Sequence, residues 1–303
     1  TLTGDLAARV NTTGGAVNET ITLPNGDTVA VTFGATEAAA VFKGIVTAEV
    51  SGFATITGGF AVSKSASKLT IAAAGVTAFV GSGDLGVRVT NGKLGAVIKT
   101  DTKKFAAVAS GDAALEGVSG LTVTGTGSVR INKMSEAVNE TITTPSGNVD
   151  VVFADGTDIL QVRSTLNLQF ENFVYASGDF LLEKTQVSDL TTITLAASNL
   201  NAFLGVNYGV TGEFGVKVTG AGVAMLIEKQ GSNAAKYAIS TTGGTVSLVG
   251  LPGVDLSGPL ALNINRLGRI VDVDIPAPSG VTFPLEFALP DTVQRFGGDL
   301  NLN

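Results

Sequence analysis

The chain has 303 residues, a formal net charge of −7 and no Cys, His or Trp. These absences exclude disulfides, thiolate zinc sites and histidine-based acid–base catalysis. The acidic balance argues against a nucleic-acid partner, which requires a basic surface, and no apolar run is long enough for a transmembrane helix. The 39 glycines and the charged fraction of 15% favour short strands joined by tight turns.

The first 120 residues show mainly the period-2 alternation of half-buried strands. The dipeptide "NG" at 25–26 lies between "TITL" and "TVAVTF", which predicts a β-hairpin. Further along, "KKFAAVASGDAALEG" (103–117) places Phe, Ala and Leu side chains on one face, and Ser110, Asp112 and Glu116 on the other. Most of this region is therefore predicted to be antiparallel β-structure.

Two stretches interrupt the alternation. "ATEAAAVFK" (35–43) predicts a short helix that begins near Thr36, and "GVTAFVG" (75–81) predicts one helical turn that ends at Gly81. Related stretches follow later, and they predict the same two helices there, with Phe79 and Phe203 closing one end of each core. These later stretches are "DGTDILQVR" (155–163, near Thr157) and "NLNAFLG" (199–205, ending at Gly205).

The chain repeats itself. "AVNETIT" occurs at 16–22 and again, unchanged, at 137–143, and "IVDVDIP" (270–276) stands at the same place in a third copy. Other segments recur in the same order, among them "TGDLAARVN" (3–11), "TGTGSVRIN" (124–132) and "SGPLALNIN" (257–265). The repetition predicts three units: repeat 1 at 1–120, repeat 2 at 121–253 and a partial third repeat at 254–303.

The second repeat is longer than the first. The offset between matching segments grows near 186–190 and again within 206–235. We expect these insertions in loops, because the flanking strands keep their register. The period is much longer than one rung of a β-solenoid. The predicted fold is all-β: tandem antiparallel β-sandwich or flattened-barrel repeats, stacked end to end into an elongated rod, with one or two very short helices per repeat.

No catalytic site is predicted. A paired-carboxylate site present in each repeat would show a repeated acidic pair. Glu19 and Glu140 share one repeat position, but the third copy has Val273 there, and Asp112 is replaced by Gly244 in the second repeat. The chain is therefore expected not to be an enzyme, with no catalytic or cofactor-binding residue assigned.

Structural calcium is the better cofactor candidate, since hard oxygen ligands suit an acidic chain without His. The Asp-rich turns "ADGTDI" (154–159) and "DVDIPAPSG" (272–280), with "SGD" at 110–112 and 177–179, are the candidates. Asp and Gly also simply form turns, so no ligand is named. Asn-x-Thr sequons at Asn11, Asn18 and Asn139 could carry glycans in a suitable host.

The segments "SGDFLLEK", "NAFLG" and "KYAISTTGGTVSLVGLPGVDLSG" resemble the long tandem repeats of giant secreted bacterial proteins, over nearly the whole chain. The resemblance implies an exported, extracellular or cell-surface protein built of many copies, such as an adhesin stalk, a sheath or a filament. It implies no functional residue.

The expected function is structural: a stiff segment of a bacterial surface filament, sheath or surface layer, because repetition suits a task of spanning distance. Copies of itself are the expected partners. A strand of one chain would complete the partial third repeat of the next and give head-to-tail assembly. The alternative is an adhesin stalk or binding module that recognises carbohydrate or another surface.

Overall fold

A computed structural model describes residues 1–35, 40–50, 54–252, 256–278, 280–290, 294–297 and 301–302. The described residues of the first repeat contain eight strands: β1 Leu2–Val10, β2 Val17–Thr22, β3 Thr28–Phe33, β4 Ala40–Val50, β5 Ala54–Lys64, β6 Lys68–Ser82, β7 Leu85–Lys99 and β8 Phe105–Glu116. Those of the second repeat contain β9 Leu121–Asn132, β10 Val138–Thr144, β11 Gly147–Phe153, β12 Ile159–Phe170, β13 Val174–Val187, β14 Leu190–Val206, β15 Phe214–Gln230 and β16 Lys236–Val249.

The third, partial repeat contributes shorter strands: β17 Leu256–Pro259, β18 Ala261–Asn265, β19 Val271–Pro276, β20 Thr282–Phe287, β21 Gln294–Gly297 and β22 Asn301–Leu302. The structure is all-β and antiparallel, which confirms the predicted fold class.

One 16-stranded sheet runs through all three repeats, in the order β1-β4-β5-β6-β7-β8-β9-β12-β13-β14-β15-β16-β17-β22, with β18 and β21 beside its last strands. β8 pairs directly with β9, from Ala106↔Asn132 to Ala114↔Thr124. The sheet therefore crosses the boundary between the first two repeats without a break. Within the described residues the sheet does not close on itself, so no flattened barrel is formed.

Three hairpins lie outside this sheet. We call β2–β3 hairpin 1, β10–β11 hairpin 2 and β19–β20 hairpin 3. Hairpin 2 packs across β5 to β8, and hairpin 3 packs across β14 to β16. The predicted sandwich is thus a local two-layer structure whose second layer is a hairpin from the following repeat.

The predicted short helices are wrong, because the described residues contain none. Residues 36–39 of the first stretch lie outside the described residues, while 40–43 belong to β4 and 159–163 belong to β12. Residues 75–81 and 199–205 lie in β6 and β14, where the register shifts at β-bulges. A β-bulge inserts an extra residue into one strand and so breaks the period-2 pattern, as a helical turn would. At these bulges a residue adopts a positive φ, such as Asn199 (53°).

One insertion of the second repeat lies in a turn, as predicted: the β14–β15 connection spans 207–213, where β6 and β7 of the first repeat join directly after Ser82↔Leu85. The insertion near 186–190 lengthens a hairpin instead, because β13 and β14 stay paired as far as Val187↔Leu190, whereas β5 and β6 stop at Lys64↔Leu69. The turn at 231–235, which joins β15 to β16, is as long as the turn at 100–104 in the first repeat. The pairing of the flanking strands is the same in both repeats.

Candidate functional site: the hairpin-covered junctions between repeats

Hairpin 2 buries its apolar side chains against the sheet of the first repeat. Val151 is 0% exposed, and Phe153, whose ring also receives the Arg130 guanidinium at 4.8 Å, is 6% exposed. Hairpin 2 and Met134, in the loop that leads into it, supply the large side chains of this core. The hairpin residues are Val138, Ile142, Val149, Val151 and Phe153. We call this interface junction 1.

The sheet supplies small residues beneath hairpin 2: Ala61, Ala72, Ala74 and Ala106, together with Val97. Gly95 lies among them, and a Cβ atom there would come within 2.7 Å of side-chain carbons of both Val149 and Val151. At the tip of the hairpin, Ser146 lies against Gly59 so closely that a Cβ atom there would collide with it. The small residues of "TIAAAG" thus let a second layer approach the sheet closely.

Hairpin 3 covers the sheet of the second repeat in the same way, at what we call junction 2. Ile275 and Leu285 are both 0% exposed. The sheet below them offers Ala196, Ala224, Leu226 and Ala238, and the hairpin side adds Leu267, Val271, Ile275, Ala277, Leu285 and Phe287. The strand registers place Ala196 and Ala238 at the positions that Ala72 and Ala106 occupy in junction 1.

An asparagine holds the chain where it leaves the sheet for each hairpin. Asn132 is 1% exposed, donates from Nδ2 to the carbonyl oxygen of Asp155 at 2.9 Å, and accepts the Met134 N–H at 2.9 Å. Asn265, 0% exposed, makes the equivalent contacts to Leu289 O and Leu267 N–H at 3.2 and 3.0 Å. These side chains satisfy buried backbone groups that would otherwise be unpaired.

Charged pairs border both junctions, but the acid lies on the hairpin side in junction 1 and on the sheet side in junction 2. In junction 1 the hairpin side carries the acids: Glu136 pairs with Lys99 at 2.8 Å, and Glu140 pairs with Lys68. In junction 2 the position of Lys99 is held by Glu228 and that of Glu136 by Arg269, which pair at 2.6 Å. The Lys68 and Glu140 positions become Thr192 and Val273. Each hairpin therefore matches the sheet it covers in charge as well as in shape.

Hairpin 1 has the same sequence pattern and register, but no described strand covers its apolar face. Val17↔Phe33 and Ile21↔Val29 are paired as Val138↔Phe153 and Ile142↔Val149 are. Ile21 is 53% exposed, whereas Ile142 is 7% exposed. Arg9 lies over the ring of Phe33 at 4.8 Å, the same distance as in the Arg130–Phe153 pair. Hairpin 1 thus has the form of hairpin 2 without a sheet beneath it.

The opposite face of the sheet carries an open apolar groove where the first two repeats meet. It has a volume of about 560 Å³ and crosses β7, β8, β9 and β12. Its lining is almost entirely apolar and includes Val89, Ala113, Val129, Val162 and Leu166. Since side chains alternate between the two faces of a strand, Val129 points into the groove and Arg130 points to hairpin 2.

An aromatic cluster lies in the insertion of the second repeat. Tyr208, on the 207–213 loop, stacks on Tyr175 of β13 with ring centroids 4.4 Å apart, and Phe203 lies 5.1 Å from Tyr208. The Lys217 ammonium lies 5.5 Å above the Tyr208 ring. Burial raises the pKa of the Tyr208 hydroxyl. Phe203 is 2% exposed but belongs to neither junction core, and Phe79, at the matching position of the first repeat, is half-buried beneath Arg88.

The structure does not bring the calcium candidates together. Asp155 accepts the Thr157 N–H at 2.9 Å, which lowers its pKa, and Asp158 pairs with Lys133. Asp112 and Asp179 accept hydrogen bonds from asparagine side chains on β7 and β14, respectively. Within the described ranges, no group of three or more acidic side chains is placed to hold a metal ion. No helix in the described part of the chain is long and apolar enough to cross a membrane.

The three sequons occupy different environments. Asn11 stands at the position of Asn132, and its Nδ2 donates to Gly15 O at 2.8 Å. Asn18 and Asn139 lie on the outer faces of hairpins 1 and 2 and are exposed. Two of the three candidate acceptors are thus accessible, and the third is engaged in the loop that leads into hairpin 1.

No protein-family model, no curated protein and no solved structure matches this chain.

The sequence contained signals for the junctions that sequence reasoning missed. Asn11, Asn132 and Asn265 all end the same recurring segment, which marks the loop anchor. The conversion of Lys99 to Glu228 together with Glu136 to Arg269 marks a contact between sequence-distant positions, since the two charges reverse as a pair. Both signals are visible once the repeats are aligned position by position.

Proposed function

We propose that this chain is a stiff structural segment of an extracellular bacterial filament, sheath or surface layer. The observation that carries the proposal is the direct β8–β9 pairing, through which the sheet of the first repeat continues into the second. Hairpin 2 lies across the same boundary and buries its apolar face on the preceding repeat. Two consecutive repeats are therefore joined by a backbone ladder and by a packed core, with no flexible linker.

This arrangement extends by addition of repeats. The second repeat contributes six strands to the sheet, β9 and β12 to β16. Strands in a sheet are about 4.7–4.9 Å apart, so one repeat advances the sheet by roughly 28 Å. Each added repeat meets a neighbour of the same kind, which supports a role in spanning distance or covering area.

Assembly with other copies fits the exposed edge of the sheet. β1 pairs with β4 on one side, and no described strand pairs with its other side. An open edge with unpaired N–H and C=O groups is a template for strand addition from another chain. Leu6 on this strand is 65% exposed. Head-to-tail addition at the β1 edge is therefore part of the proposal.

Negative-stain electron microscopy of the purified chain, with calcium and with a chelator, tests the proposal. We expect elongated particles that lengthen into filaments at high protein concentration. A difference between the two conditions would show that calcium controls the assembly. Compact, globular particles in both conditions would overturn the structural role.

The aromatic cluster favours a second candidate function, a surface-binding module of an adhesin stalk. Tyrosine combines an apolar ring with a polar hydroxyl group, which suits it to contact sugars and other surfaces. The half-buried Tyr175 and Tyr208 bring ring edges and hydroxyl groups together with the Lys217 ammonium. A glycan-array experiment with the wild type and with Tyr208→Ala separates the two functions. Binding that is lost in the variant supports the adhesin, whereas no binding by either protein argues against it.

A further inference from the structure

We propose that hairpin 1 docks on the sheet of a further repeat, one of the first kind, with a lysine at the position of Lys68. The proposal rests on the proposed function, because it names the partner that a tandem-repeat assembly presents to this end of the sheet. The partner is defined by its chemistry: four antiparallel strands like β5–β8, small residues in the centre of the face, and that lysine at its border.

Hairpin 1 carries an apolar face like the one that hairpin 2 buries. Its inward positions carry the residue types that are buried in hairpin 2, including Val17, Ile21, Val31 and Phe33. Ile21 and Val29 are 53% and 46% exposed here, whereas their counterparts in hairpin 2 are 7% and 3% exposed. Burial of these side chains is favourable in proportion to the apolar area removed from water. The face is thus shaped for a sheet that the described strands do not place beneath it.

The edge of β1 that faces away from β4 has no partner among the described strands. β9, its counterpart in the second repeat, pairs with β12 on one side and with β8 on the other. β1 has the partner that corresponds to β12, which is β4, but none that corresponds to β8. A β8-like strand at this edge would bring the remaining strands of its sheet directly under hairpin 1. The open edge and the uncovered hairpin therefore point to one and the same partner.

The charge on hairpin 1 decides which kind of sheet it fits. Glu19 occupies the position of Glu140, which pairs with Lys68 in junction 1. Gly15 occupies the position of Glu136 and Arg269, so hairpin 1 has no charge to place against Lys99 or Glu228. A sheet of the second kind would set Glu19 against a threonine, while the charged position opposite Gly15 stays unpaired on a sheet of either kind, so only Glu19 discriminates between them. A sheet of the first kind pairs Glu19 with its lysine, which selects that kind.

A second copy of this chain, added end to end at the β1 edge, does not supply the sheet that covers hairpin 1. In each copy the two small-residue faces are already covered by hairpins 2 and 3. β21 and β22 pair with β18 and β17 as β4 pairs with β1. Their outer edge would give β1 one more strand, but it would put no four-stranded face beneath hairpin 1. A further complete repeat satisfies both requirements.

An extended chain tests the proposal: residues 1–121 are placed directly ahead of Thr1 of the full 303-residue chain. Leu121 then precedes Thr1, which preserves the spacing of 121 residues between the "AVNETIT" segments. The extended chain contains an internal hairpin 1 with a β5–β8 sheet before it and a leading hairpin 1 without one. Hydrogen exchange of the Ile21 and Val31 amides is measured in both hairpins and in the 303-residue chain.

We expect the amides of the internal hairpin to exchange at least about tenfold more slowly than those of the leading hairpin, which serves as the control. Lys68→Thr in the leading copy should accelerate the exchange of the internal hairpin, and the same change at Lys93 should not. Equal exchange of the two hairpins in a folded extended chain would overturn the proposal.

A graft provides a second test that does not depend on correct folding of the extended chain. Residues 16–33 replace residues 137–153, so that hairpin 1 stands on the sheet of the first repeat within a chain that is longer only by one residue, in the turn of the hairpin. Protection of the grafted hairpin supports the proposal, and rapid exchange of its amides overturns it.

Microscopy of the extended chain separates this proposal from the proposed function. Longer particles with an unprotected internal hairpin would leave the structural role intact and overturn the docking. A protected internal hairpin in particles that are not longer would support the docking and contradict the rod-like role.

Discussion

Hairpins 1 and 2 are nearly the same piece of protein in two different environments. Both begin with "AVNETIT" and both pair a valine with a phenylalanine at the base of the hairpin. Hairpin 2 lies on a sheet and buries Val138 to 5%, while the first strand of hairpin 1 is exposed at every residue after Val17. The difference teaches that the preceding repeat supplies the second half of each core.

A consequence is that the sequence repeat and the folding unit are not the same segment. The core of junction 1 combines residues 61–108 of the first repeat with residues 134–159 of the second. A cut at the repeat boundary, near residue 120, would separate the two layers of this core. The cooperative unit is therefore a sheet together with the next repeat's hairpin, as in repeat proteins whose stability depends on neighbour interfaces.

The largest expected difference between the hairpins concerns their matched isoleucines. Ile142→Ala should lower the free energy of unfolding by about 2–4 kcal/mol, because it leaves a cavity in junction 1. Ile21→Ala should change it by less than about 0.5 kcal/mol, because Ile21 is largely exposed. Urea unfolding of both variants measures the two values. Similar losses in the two variants would contradict the comparison.

The close approach of hairpin 2 to the sheet predicts the next effect. Gly95→Val should destabilise the protein by about 3 kcal/mol, because the new side chain would overlap Val149 and Val151. Gly127→Val is the matched control on β9: the nearest atom to a Cβ there is Arg163 O, 3.9 Å away. We expect no loss of stability in that variant. Thermal unfolding followed by circular dichroism compares the two substitutions.

The loop anchor should show a smaller effect that again differs between copies. Asn132→Ala removes the partner of the Met134 N–H and of two carbonyl groups, which should cost about 2 kcal/mol at this buried site. Asn11→Ala should cost less, because Asn11 is partly exposed and water can replace its hydrogen bonds. Chemical unfolding gives both values, and a larger loss for Asn11→Ala would show that the first loop bears more of the stability.

The smallest effect concerns the charge order that distinguishes junction 1 from junction 2. Lys99→Glu places a carboxylate against Glu136 and should destabilise the protein by up to about 1 kcal/mol, since these side chains are partly exposed. Adding Glu136→Lys reproduces the order found in junction 2 and should restore stability. The loss should shrink in high salt. A double variant no more stable than Lys99→Glu would argue against charge matching.

The sequence predicted the strands better than their arrangement. Alternation and "NG" at 25–26 predicted β-structure and hairpin 1, because both signals are local. The dipeptide "NG" also occurs at 91–92, where it predicts a second hairpin by the same rule, but the structure places it in a bulge inside β7, where Asn91 has φ of 53°. The small residues around Ala72 permit close packing, yet nothing local shows that the packing partner is a hairpin some seventy residues further along.

The candidate site was the part that local reasoning could not supply. Glu19 and Glu140 were weighed as a repeated acid, but the partner that explains Glu140 is Lys68, which belongs to the preceding repeat. A residue that acts across a repeat boundary has its reason in another unit. Its role becomes visible when one copy is compared with the next and the compensating change is sought on the facing strand.

The direction in which the sheet grows has a mechanical consequence. Tension applied perpendicular to the strands, along the direction of sheet growth, would pull neighbouring strands apart. The hydrogen bonds between strands would then break one ladder at a time. A repeat that spans roughly 28 Å when folded would lengthen by about 400 Å when its 121 residues are unfolded and fully extended. A tether built this way would yield in steps and absorb a sudden load, and each hairpin lying across a boundary would resist the opening of the repeat behind it.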